Sequence, residues 1–190
     1  MAWTRFLVLV LCLSISQLWA SDRALPEDLE GRAIDPFEAS SAKVIVFVFL
    51  AEECPIANRY VPRLNRYAAK YGAGGVSFRA VYADEKLSVE RIQKHQKDYS
   101  LEMPVLRDVD KWLVAKTGVK VTPEAAVYNR SESGLYELVY LGRIDDQYQD
   151  FGKWRREPNK KELEEVLDAL LDGEILAFRE TRAIGCYIGE

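Results

Sequence analysis

A continuous apolar run, Val44-Ile45-Val46-Phe47-Val48-Phe49-Leu50, dominates the hydrophobic pattern of this chain. Its β-branched and aromatic residues leave no polar face, which predicts a strand buried on both sides within a mostly parallel sheet. The period then changes. Ile56, Tyr60, Leu64, Tyr67, Ala68 and Tyr71 recur at helical spacing behind Pro55, and Gly72 with Gly74-Gly75 stops the helix. Pro55 suits the first turn, because its missing N–H would have no helical partner there. Residues 76–83 alternate well enough for a second strand, and Ser88 caps a polar helix running to about Tyr99. Pro104-Val105-Leu106 predicts a short extra strand, and Asp108 caps a brief helix over residues 109–117. After Thr122-Pro123, residues 124–128 and 136–141 flank the turn-forming residues 129–134 and predict an antiparallel hairpin. Asn159 with Glu162 forms a variant capping box for a last helix, whose apolar face is Leu163, Val166, Leu167, Leu170 and Leu171 and which ends at Gly173.

The order is strand, helix, strand, helix, short strand, helix, hairpin, helix. An alternating α/β half joined to a terminal hairpin and helix predicts one domain, spanning residues 42–173, with an insertion before the hairpin. Residues 21–41 mix charges with Pro26, Gly31 and Pro36 and form an irregular lead-in, while residues 174–190 are a tail carrying Cys186. The first twenty residues hold Arg5, the apolar stretch 6–13 and Leu18-Trp19-Ala20, the layout of a secretory signal peptide. The stretch is short of the ~20 apolar residues that span a bilayer, so cleavage after Ala20 is expected, an uncleaved anchor being the alternative. The mature protein is then exported, periplasmic or extracellular, with no stable membrane insertion. Cleavage also removes Cys12 and leaves Cys54 and Cys186; with Arg5 gone, 25 basic residues face 30 acidic ones and the formal charge moves from −4 to −5. An acidic surface argues against nucleic acid as a partner.

Cys54 is the residue whose address calls for chemistry. It sits at the predicted strand-to-helix junction, where unsatisfied backbone N–H groups and the helix dipole favour the thiolate, the reactive form. Glu52 and Glu53 oppose that effect, and Arg59, one turn on, offsets part of the repulsion if it folds back. A net lowering of the Cys54 pKa is expected. His95, the single histidine, lies among lysines on a polar helix and reads as solvated. One histidine and two distant cysteines make a poor zinc site, so no metal is expected. Tyr60, Tyr67 and Tyr71 read as packing residues.

Residues 49–57 with Pro62 resemble the active-site stretch of thioredoxins, and Thr122-Pro123 before a strand resembles their cis-proline loop. The segments 54–60, 141–146 and 185–188 are similar to an exported redoxin group related to alkyl hydroperoxide reductases and thiol-specific antioxidant proteins. The resemblance implies a thioredoxin-like three-layer sandwich with a mixed central sheet, and it implies that Pro123 lies beside Cys54 and shapes a groove for the substrate backbone. The departures are as informative. Ala57 stands where a thioredoxin has its resolving cysteine, so a closed Cys-x-x-Cys cycle is impossible. Phe47 and Ala51 stand where a peroxiredoxin is expected to have Pro and a hydroxyl residue, and Asn58 stands where a copper-delivery relative needs its second cysteine.

The resemblance leaves Cys186 as the candidate resolving thiol, since some redoxins resolve from a C-terminal cysteine. A permanent disulfide to Cys54, stabilising by about 4–5 kcal/mol through loop closure, and two unpaired thiols remain as alternatives. Arg143, Asp145 and Asp146 line the active-site rim if the resemblance holds there, or brace a turn by ion pairs. The leading expectation is a thiol-disulfide oxidoreductase needing no cofactor: Cys54 attacks, Cys186 resolves, Thr122 and Pro123 bind substrate, and Pro55, Arg59 and Arg143 support the site. Its partners are protein or small-molecule thiols and disulfides. The competing readings are a thiol peroxidase acting on peroxides and a non-catalytic peptide-binding module that keeps Cys54 incidentally.

Overall fold

The computed structural model describes residues 23–189, so the expected signal peptide lies outside the described residues. The elements follow in the order β1 (Val44–Phe49), α1 (Pro55–Gly72), β2 (Val76–Tyr82), α2 (Val89–Tyr99), β3 (Val105–Arg107), α3 (Trp112–Thr117), β4 (Val121–Thr122), β5 (Glu124–Arg130), β6 (Tyr136–Gly142), β7 (Tyr148–Asp150), β8 (Lys153–Trp154), α4 (Glu162–Leu171), β9 (Arg179–Glu180) and β10 (Cys186–Tyr187). A six-stranded sheet runs β3-β2-β1-β5-β6-β9. It is mixed: β1 pairs with β2 in parallel and with β5 antiparallel.

β1 is central and wholly buried, as its unbroken apolar run requires. Its alternate residues serve two opposite layers. Val44, Val46 and Val48 join a cluster with Ile56, Leu64, Leu163 and Leu167 of α1 and α4, while Ile45, Phe47 and Phe49 join Leu113 of α3 and Phe37 of the lead-in. This is the two-sided burial that gives a strand no polar face. Among the described residues of the lead-in, 23–41, there is no helix or long strand, but Glu27 exchanges backbone hydrogen bonds of 2.9 and 2.7 Å with Arg107, which covers the edge of β3.

Ser88 caps α2 through Arg91 N, as its sequence position predicts. Asp108 also caps α3, taking Leu113 N and Val114 N on its two oxygens although Lys111 is the last non-helical residue. The capping box of Asn159 and Glu162 does not form. Lys161 precedes α4 without a side-chain cap, and Asn159 instead donates its backbone N–H to Asp146, 2.6 Å away. Glu162 turns to Arg143, which donates to it through Nε at 3.0 Å and through Nη2.

His95 is the clearest departure from the sequence reading. It is 2% exposed, and its two ring nitrogens meet the Tyr82 hydroxyl and Asn58 Oδ1, each at 2.7 Å. Asn58 Oδ1 only accepts, so Nε2 carries the proton and Nδ1 accepts from Tyr82. An imidazole with both nitrogens satisfied is buried at little cost, which is how a polar helix hides one.

Candidate active site

Cys54 occupies the N-cap of α1, in extended conformation, with Pro55 opening the helix. Its thiol donates to the Thr122 carbonyl oxygen at 3.1 Å, and the sulfur accepts from Ala57 N at 3.5 Å. The peptide bond that follows, Thr122-Pro123, is cis. Pro123 and Thr122 thus flank Cys54, as the resemblance to the thioredoxin loop implied.

The C-terminal tail completes the site. β10 pairs antiparallel with β4, setting Cys186 opposite Thr122 and Tyr187 opposite Val121. The Thr122 hydroxyl donates to the Cys186 carbonyl at 3.3 Å, and Ile188 N donates to the Lys120 carbonyl at 3.0 Å. Cys54 and Cys186 are both free thiols. They are neighbours that set each other's acidity: burial pushes the Cys54 thiol up, but hydrogen bonds from the Cys186 thiol, Ala57 N and Cys186 N outweigh it, and the Cys54 pKa falls below its ordinary value. Cys186 moves the other way, to about 11, through burial and through the hydrogen bond and charge of Cys54.

A cavity of about 630 Å³ opens beside this pair, lined by Glu52, Glu53, Cys54, Arg91, Cys186 and Tyr187 among others. Cys54 itself is only 1% exposed. The loop that carries it is braced from below, because Asn58 Nδ2 donates to the Glu52 carbonyl at 2.9 Å while its oxygen takes the His95 proton.

Arg59 does not fold back toward Cys54. Its guanidinium donates to the Tyr148 hydroxyl at 3.3 Å and lies 5.8 Å from the Trp154 ring. The cation that answers the two acidic residues is Arg91 on α2, with Nε 3.0 Å from Glu52 and Nη2 3.2 Å from Glu53. Sequence spacing carries no signal for that partner, since α2 reaches the loop only through the fold. Arg143 is likewise apart from the cavity, bound to Glu162. Asp145, whose carboxylate accepts from Tyr60 and Arg63, and Asp146, which holds Arg155 and the approach to α4, are structural anchors. Among the described residues no cluster of His, Cys, Asp and Glu suits a metal ion, and no helix is long and apolar enough to cross a membrane.

A cysteine at a helix N-cap, facing a cis-proline loop across the end of a mixed sheet, defines a redoxin domain of the thioredoxin superfamily. The chain belongs to the AhpC/TSA family, which matches residues 20–135, a span that includes Cys54, Thr122 and Pro123 and stops before Cys186. It is similar to the thiol-disulfide oxidoreductase ResA of Halalkalibacterium halodurans, at 29% identity over 122 residues that make up 64% of this chain and 66% of that one. Among solved structures, a hypothetical protein of Sinorhizobium meliloti superposes with a TM-score of 0.69 at 24% identity, over 87% of this chain and 91% of that one. The exposed lipoprotein thioredoxin of Streptococcus pneumoniae superposes with a TM-score of 0.52 at 18% identity, over 75% and 96% of the two chains. These two likenesses establish the thioredoxin-like fold.

Proposed function

We propose that the protein is an exported thiol-disulfide oxidoreductase in which Cys54 is the nucleophile and Cys186 the resolving thiol. The observation that carries the reading is the pairing of β10 with β4, which brings Cys186 beside a Cys54 whose pKa is depressed. The Cys54 thiolate attacks one sulfur of a substrate disulfide. A Cys54–substrate bond forms, the substrate S–S bond breaks, and the first substrate sulfur leaves as a thiolate that takes up a proton.

That step also activates Cys186. Burial, the hydrogen bond to Cys54 and the Cys54 charge hold the Cys186 pKa at about 11. Once Cys54 is covalently bound its charge is gone, the last two effects vanish, and Cys186 becomes the better acid. Its thiolate attacks the Cys54 sulfur, the Cys54–Cys186 disulfide forms, and the second substrate sulfur departs and is protonated. The substrate disulfide gains two electrons and two protons, and the protein dithiol loses them; an external dithiol returns the protein to its starting state. No cofactor enters this cycle.

A peroxide reading has less to support it. Position 51 is alanine and offers no hydroxyl, and the Thr122 hydroxyl is engaged with the Cys186 carbonyl. The similarity to a thiol-disulfide oxidoreductase favours disulfide exchange, and export places the dithiol where protein disulfides persist.

The test uses 5,5′-dithiobis(2-nitrobenzoate). The wild-type protein should release two thionitrobenzoate anions per chain and end with an internal disulfide and no adduct by mass spectrometry. Cys186→Ser should retain one adduct on Cys54, and Cys54→Ser should lose the fast phase. A wild-type protein that keeps stable adducts on both cysteines would overturn the proposal.

A further inference from the structure

The tail does more than carry a thiol. We propose that residues 185–188 form a displaceable strand that sheathes Cys54 at rest and returns to deliver Cys186, with Gly185 as the positioning residue that lets it dock; this rests on the assignment of Cys186 as resolving thiol.

Cys54 is a nucleophile with 1% of its surface exposed, although a sizeable cavity reaches its neighbourhood. What lies over the Thr122 carbonyl, the group that accepts the Cys54 thiol, is the backbone of Gly185 and Cys186. A Cβ built on Gly185 would fall inside the van der Waals envelope of the Thr122 carbonyl oxygen and stand 3.1 Å from Pro123 N. Both neighbours are backbone and cannot swing aside, so every residue but glycine holds the tail away from β4. The register then decides where the thiol goes: with Gly185 seated, Cys186 falls opposite Thr122 and its side chain meets Cys54.

The same strand is weakly held. β4 and β10 are two residues each, Tyr187 is 82% exposed, and the segment beyond is tied by Ile188 N to the Lys120 carbonyl and by Lys111 Nζ to the Gly189 carbonyl at 2.6 Å. A short edge strand with few bonds opens at the low end of local unfolding free energies. An arriving disulfide therefore reaches Cys54 when β10 lifts, and the returning strand brings the resolving thiol. Oxidation closes the sheath covalently; reduction frees it.

The experiment measures the rate at which N-ethylmaleimide alkylates Cys54, taken at the high-pH plateau so that thiolate fraction does not enter. It is run in the Cys186→Ser background, where no redox cycle operates. Adding Gly185→Val should raise that plateau rate tenfold or more. With Cys186 restored, Gly185→Val should also slow clearance of the thionitrobenzoate adduct from Cys54 at least tenfold. Faster attack together with slower resolution is a signature that general loosening of the fold does not give. Ile188→Pro, which deletes the bond to Lys120 and trims the Ile188 side chain from its packing on the β1 layer, should reproduce both effects more weakly and serves if Gly185→Val does not fold. An unchanged plateau rate, or attack and resolution moving in the same direction, overturns the sheath even where the two-thiol cycle stands.

Discussion

Cys186 stands directly opposite Thr122 across the β4–β10 ladder, and the carbonyl of that same Thr122 accepts the Cys54 thiol at 3.1 Å. One backbone unit therefore sets the position of both thiols. Its placement couples their chemistry, since the hydrogen bond that lowers one pKa raises the other.

The largest effect lowering the Cys54 pKa is the hydrogen bond from the Cys186 side chain. Cys186→Ala removes that donor and leaves the strand backbone in place. The midpoint of the pH–rate profile for iodoacetamide reacting at Cys54 should move upward, because the thiolate loses a partner that stabilised it. A midpoint that stays put would show that the two thiols do not communicate, and one that falls would show that Cys186 opposes the Cys54 thiolate.

Arg91 answers Glu52 and Glu53 at the rim of the cavity. Arg91→Gln leaves both carboxylates uncompensated, so anionic disulfides should react several-fold more slowly relative to neutral ones such as 2,2′-dipyridyl disulfide. The discrimination should fade at roughly 0.5 M salt, where the Debye length is only a few ångströms. These are partly exposed pairs, and the stability cost should stay within about 1 kcal/mol. Equal slowing of neutral and anionic reagents would place Arg91 in a structural role only.

The long elements were legible in the chain because each buries enough residues to show a period. β1 reads as unbroken apolar, α1 shows its stripe, and the hairpin of β5 and β6 is bounded by a clear turn. The strands that complete the site were not. β4 and β10 are two residues each, too short for any periodicity, and β10 exists only because the fold brings residue 186 to residue 122. The burial of His95 is hidden from the sequence for a related reason: α2 buries only Ile92 and His95, so its hidden face is too thin to mark the histidine as internal, and its partners Asn58 and Tyr82 come from other elements. Arg59 is near Cys54 in sequence, yet the helix aims it at Tyr148 and Trp154. The helix-cap position of Cys54 was legible from its strand-to-helix address, and the cis bond at Thr122-Pro123 from the resemblance to the thioredoxin loop; neither the pairing of Arg91 with Glu52 and Glu53 nor the close approach of Gly185 to Thr122 has a local mark.

Burial holds the His95 pKa below its ordinary value. The unfolded chain then binds the proton more readily than the folded one, so stability rises with pH toward the unfolded pKa near 6.5 and falls as the solution is acidified below it. His95→Gln removes the titration and should flatten that part of the curve, at a constant cost from weaker contacts to Tyr82 and Asn58. Urea midpoints between pH 5 and 8 check this. Parallel curves for the two proteins would mean that His95 contributes nothing to the acid sensitivity.

Arg143 separates structure from chemistry most cleanly. It meets Glu162, whose side chain is 1% exposed and whose second oxygen is buried without a partner, so the carboxylate depends on this one guanidinium. Arg143→Ala strands a buried charge and should cost about 3 kcal/mol of stability. Arg143→Lys should recover only part of it, because an ammonium cannot reproduce the paired Nε and Nη2 contacts. Replacing both residues with methionine should restore most of the loss, since the desolvation penalty goes with the pair. Through all three variants the plateau alkylation rate of Cys54, measured at a temperature where each is folded, should hold within a factor of two of the wild-type value. A Cys54 rate that instead fell with Arg143→Ala and returned with Arg143→Lys would put Arg143 back at the rim of the active site.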